Sequence, residues 1–143
     1  MERFLVVANQ TLGGKRLFST IRELVRARPC TFRLVVPATP VGHGSTWTEG
    51  DARAAARDRL EMALARFREI GADVDGDVGD ANPILAIGDA LRAHGPFDRI
   101  VLSTLPPGAS KWLKLDLPHR VEAAFGLPVQ HVIGGRETVD VGH

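Results

Sequence analysis

The chain is poor in several of the features from which function is often read. It has a single cysteine, Cys30, in 143 residues, so no internal disulfide can form and the fold must rest on its core. Nothing near Cys30 in sequence suggests a lowered thiol pKa, and a structural role is expected for it. An excess of one charge sign is also missing. Eighteen Lys and Arg against seventeen Asp and Glu leave a formal charge of +1, with the basic residues spread along the chain. No broad field therefore favours nucleic acid or an anionic membrane, and neither is expected as a partner. There is no apolar run long enough for a signal peptide or a membrane span, and residues 1–7 lead straight into a strand-like run, so a cytoplasmic location is expected. The five histidines, at 43, 94, 119, 131 and 143, lack the spacing of metal ligands, and no metal site is expected. His43-Gly44-Ser45 lacks the Gly-x-Ser-x-Gly elbow of a nucleophile, and no catalytic residue is assigned.

What is present is ordinary for a globular protein: 44% hydrophobic and 24% charged residues, in a length that suits a single domain spanning 1–143. Short apolar runs alternate with longer amphipathic stretches, the pattern of a parallel sheet covered by helices. Five strands and four helices are predicted. The strands are 4–8, 32–36, 73–79, 100–104 and 129–133. The unalternating Phe4-Leu5-Val6-Val7 suits a strand buried on both faces, whereas the polar 73–79 suits a sheet edge. One helix follows Gly13-Gly14 and ends before Pro29. The second is capped by Thr48 with Asp51 and ends at Gly71, the third opens on Asn82-Pro83, and the fourth runs from Asp116 to Gly126. Right-handed crossovers then imply a doubly wound sheet whose strand order reverses between the first and fourth strands. The ligand crevice should be built from the segments after Ala8 and after Thr104.

The segment 9–15, Asn-Gln-Thr-Leu-Gly-Gly-Lys, sits where a phosphate loop would, but Asn9 replaces the first glycine and Arg16 the hydroxyl residue, so a flexible helix entry is the better reading. The amides of Asn9 and Gln10 still end a strand at the crevice and could read a base or ribose edge. Trp47 and Trp112, the only tryptophans in a chain without tyrosine, both fall in loops at the ligand edge. There an indole can stack on a base, anchor a protein partner or plug its own loop.

Three segments resemble the universal stress protein family in order: Leu5-Val6-Val7-Ala8-Asn9, Val78-Gly79-Asp80-Ala81-Asn82-Pro83, and 97–129 from Phe97-Asp98-Arg99 to Leu127-Pro128-Val129. The resemblance covers essentially the whole chain and implies a Rossmann-like α/β domain in stress response, a homodimer through the last strand, and a site for ATP, ADP or AMP. It places Asn9, Val36 and Ser103 around base and ribose and Gly108, Ser110 and Lys111 at phosphate, with Gln10, Pro37, Gly79, Thr104, Asp116 and His119 among the other residues expected at the site. The ATP-binding signature of that family is Gly, two residues, Gly, nine residues, then Gly-Ser or Gly-Thr. Here those positions hold Ser103, Pro106, Asp116 and Leu117, and the first-strand Asp is Asn9. Asp116 is expected to cap the last helix with its own carboxylate, worth about 0.5–2 kcal/mol. It should also repel a phosphate with roughly 4 kcal/mol at about 4 Å in an effective dielectric of about 20. Binding of an adenine nucleotide or related small anion, weakly or in an altered mode, is the expectation. A ligand-free dimeric module that binds a protein through the Trp47 and Trp112 loops is the alternative.

Overall fold

The computed structural model describes residues 1–40 and 48–134; His43 and Trp47 lie outside them. The elements are β1 (Glu2–Val7), α1 (Lys15–Ala27), β2 (Cys30–Pro37), α2 (Glu49–Glu69), β3 (Asp73–Gly79), α3 (Pro83–His94), β4 (Arg99–Thr104), α4 (Lys111–Lys114), α5 (Leu117–Phe125) and β5 (Val129–Ile133). The strands form one parallel sheet in the order β3-β2-β1-β4-β5, so the order does reverse between β1 and β4.

Strand alternation divides the core into two. Phe4 and Val6 of β1, with Phe32, Leu34 and Val101, face Leu17 and Ile21 of α1 and Leu60 and Phe67 of α2. Leu5 and Val7, with Val35, Ile100 and Leu102, face Ile87 of α3 and Val121 of α5. As the central strand, β1 is buried on both faces, and Phe4, Leu5, Val6 and Val7 are all fully inaccessible. At its edge position β3 carries charge outward, with Asp77 paired to Arg33 of β2 at 2.5 Å.

Local chemistry sets the helix ends. Thr48 Oγ1 accepts from the Asp51 N–H at 3.0 Å while the Thr48 N–H donates to Asp51 Oδ2 at 3.1 Å, a reciprocal capping box at the start of α2. The Ile84 N–H donates to Asn82 Oδ1 at 2.9 Å and Pro83 takes the first helical position of α3. After α2 and α5 the chain turns on Gly71 and Gly126, at φ +88° and +67°.

β1 and β2 reach beyond the sequence expectation and one further element appears. β1 starts at Glu2, two residues early, because Arg3 is held there by its N–H donating to Asp98 Oδ2 at 2.8 Å. β2 likewise extends outward to Cys30 and Pro37 in register with β1 and β3. The fifth helix, α4, occupies part of the loop expected after β4; the Leu113 N–H donates to Ser110 Oγ at 3.1 Å and starts it. Cys30 is half-buried, its thiol donating to Leu24 O at 3.6 Å. Burial chiefly raises its pKa, Glu2 adds to the rise and Arg28 opposes it, the reverse of an activated thiol.

Candidate functional site: the crevice at the strand-order reversal

Where β1 and β4 separate, the segments that follow them enclose a crevice of about 400 Å3, counting the space open to solvent. Asn9 and Gln10 follow β1, Ser103 and Thr104 end β4, and Ser110 and Lys111 begin α4; all six line it. Thr11, Thr39, Pro40, Leu105 and Trp112 complete the wall. Trp112, expected in a loop, lies in α4 and also packs against the core on the α3 and α5 side of the sheet.

The polar wall is well satisfied. Thr11 Oγ1 and Ser103 Oγ are 2.5 Å apart and both residues are buried. Thr39 Oγ1 donates to Ala81 O at 3.1 Å. Asn9, only 4% exposed, donates from Nδ2 to Pro37 O at 2.8 Å and accepts at Oδ1 from Arg59 Nη1 at 3.0 Å. Asn9 thus ties the ends of β1 and β2 to the middle of α2, and its amide is less free than its place at a strand end suggested. Lys111 is exposed and is the one cation on the described wall.

The other expected site residues lie elsewhere. Val36 is fully buried in the core, so its side chain cannot reach the crevice, and Pro37 contributes through its carbonyl to Asn9. Gly79 lines a separate groove between β3 and α3. A Cβ there would stand 2.8 Å from that of Ala86, and close packing of strand on helix explains the glycine. Gly108 is exposed at φ +92° in the turn after β4 and is not on the wall. Asp116 and His119 are also off it.

The expected carboxylate cap at Asp116 is overturned. Asp116 does precede α5, but its backbone is left-handed at φ 56°, ψ 42°, and its side chain makes no bond to the helix N–H groups. His119 Nδ1 donates instead to Asp116 Oδ1 at 2.9 Å. The histidine one turn on supplies the carboxylate with a partner in solvent. The mouth of α5 is therefore not sealed by its own side chain.

Behind the wall, Thr104 Oγ1 donates to Leu105 O at 2.9 Å and lies 2.8 Å from His131 Nε2. A hydroxyl has one proton, so this pair requires His131 to donate from Nε2. Burial lowers the His131 pKa below its ordinary value. A native pKa below the unfolded one means that the unfolded chain binds the extra proton more readily. The associated loss of stability is absent well above pH 6.5 and grows as the pH falls through about 6.5. Thermal melts at pH 7.5 and pH 5 should show a decrease that His131→Gln reduces; an equal decrease in the variant would assign it to other groups.

Among the described residues no group of three or more His, Cys, Asp or Glu side chains is arranged to hold a metal ion. No helix among them is long and apolar enough to cross a membrane. No protein-family model and no curated protein matches the sequence. Solved structures do. A universal stress protein from Archaeoglobus fulgidus superposes with a TM-score of 0.61 at 17% identity, over 92% of this chain and 93% of the other. A universal stress protein family protein from Arabidopsis thaliana with AMP bound gives 0.62 at 14% identity, over 96% and 93%. With its five parallel strands, order reversal and flanking helices, the chain has the α/β fold of the universal stress proteins.

Proposed function

We propose that this chain is a universal stress protein-like regulatory domain whose crevice binds an adenine nucleotide weakly, without turnover. The observation that carries the reading is the convergence of Asn9, Gln10, Ser103, Thr104, Ser110 and Lys111 on one crevice at the strand-order reversal, where open α/β sheets take ligands. A protein of the same fold has AMP bound, which supports the ligand class. Base and ribose would lie against Asn9, Ser103 and Trp112, and phosphate toward Ser110 and Lys111. Weak binding follows from the wall, whose described residues offer a single exposed lysine as cation, and from Pro106 and Pro107, which bring no N–H to the loop. Affinity should be higher at low salt, because an exposed lysine is readily screened.

Isothermal titration against ATP, ADP, AMP and cyclic nucleotides is the test. Heats with dissociation constants in the micromolar to millimolar range are expected, and no heat with any of them at millimolar concentration removes the reading. The homodimer belongs to the same proposal: β5 is a sheet edge and Ile133 on it is exposed. A sedimentation mass of one chain at high protein concentration would exclude it.

A further inference from the structure

The two edges of the sheet are finished differently. Along a strand, successive residues turn their backbone N–H and C=O to opposite sides, and Gly79 O accepts from the Ala38 N–H at 3.1 Å on the β2 side. Val74, Gly76 and Val78 of β3 therefore turn theirs outward, away from β2. Two of these outward groups are taken by side chains. Arg68, at the end of α2, donates from Nη2 to Val74 O at 2.9 Å, and the Gly76 N–H donates to Asp75 Oδ1 at 2.9 Å. The same guanidinium nitrogen stands 3.9 Å from that carboxylate oxygen, so donor and acceptor are held side by side over the edge. Val78 borders a groove lined by Arg53, Asp77 and Asp80. Among the described residues no side chain bonds to a backbone group of β5, the opposite edge.

We propose that Arg68 and Asp75 shut the β3 edge against strand addition by a second copy of the chain. An incoming strand needs the Val74 carbonyl and the Gly76 N–H for its own ladder. It would have to displace both side chains and strip water from their charges. The ion pair itself adds little, since its side chains are 54% and 71% exposed. Occupation of the backbone groups is what closes the edge. The consequence is directional, because a sheet able to pair with copies at both edges grows into an open chain, whereas one shut edge lets association stop at a pair. This holds whether or not the crevice takes a nucleotide.

Arg68→Met with Asp75→Ala empties both places while removing one charge of each sign, so the formal charge stays at +1. Arg33 keeps Asp77 as its partner, which leaves the side-chain tie between β2 and β3 in place. With folding verified by circular dichroism, sedimentation of the full chain at high concentration should give a mass at least about twice that of the unaltered protein. The Val74, Gly76 and Val78 amides of the variant should exchange more slowly as its concentration rises. Asp73→Asn, which removes a carboxylate from the same strand but neither of these bonds, should sediment as the unaltered chain does. If the double variant does not fold, Arg68→Met alone decides by the exchange of the same amides, and exchange independent of concentration overturns the proposal. An unchanged mass in a folded double variant overturns it too. So does a rise in mass with those amides exchanging as before, which would place the contact elsewhere, or an equal rise in Asp73→Asn, which would make charge repulsion the barrier.

Discussion

Phe4→Ala is expected to destabilise the chain by about 3–5 kcal/mol, the usual cost of removing a fully buried phenyl ring. Phe4 lies on the central strand with no exposed surface. Its ring stacks on Phe32 with centroids 5.5 Å apart at 23°, and the Arg99 guanidinium sits 5.5 Å over it. Both neighbours belong to adjacent strands whose register is fixed by backbone hydrogen bonds, so they cannot move in to fill the space. The loss should take a large share of a total that for such domains is about 5–15 kcal/mol. Urea unfolding should show a lower midpoint at unchanged slope. A loss below about 1.5 kcal/mol would mean that the sheet collapses around the cavity after all.

Gly76→Ala should cost about 1–3 kcal/mol, the range for overpacking, although alanine ordinarily gains over glycine by restricting the unfolded chain. In β3 a Cβ at Gly76 would stand 2.7 Å from Leu34 O, 2.9 Å from Leu34 Cβ and 2.9 Å from Leu60 Cδ1. Two of these belong to the backbone and Cβ of the neighbouring strand, and relief would require β3 to move away from β2. Gly13→Ala is the control, because a Cβ there meets nothing within 4 Å and φ is not positive. Thermal melts of the two variants should separate clearly. Equal melting temperatures would show that β3, an edge strand, simply shifts outward to take the methyl group.

Much of the fold was legible because its signals are local. Thr48 with Asp51, Asn82 with Pro83, and Gly126 each announce a helix end through chemistry contained within a few residues. The unbroken apolar run at Phe4 announced the centre of the sheet, and the polar run at 73–79 its edge. The four-residue α4 is shorter than any periodic pattern, and only Ser110 marks its start. The crevice wall was legible where it depends on strand ends, as at Asn9, Ser103 and Thr104. It was not legible where it depends on reach: Arg59 lies far along the chain from Asn9, and nothing in the α2 pattern distinguishes it from the other arginines of that helix. Thr11 and Thr39 sat beside residues already singled out, and their hydroxyls carried no motif. At Asp116 the residue type suggested a cap, but the backbone dihedrals decided otherwise, and those are not written in the residue's identity.

That left-handed aspartate has an evolutionary consequence. At φ 56° it holds a conformation that glycine enters without steric penalty, and aspartate and glycine codons differ by a single base. The chain could exchange one for the other with no rebuilding of the turn, losing only the carboxylate and its bond to His119 while the backbone path into α5 stayed as it is.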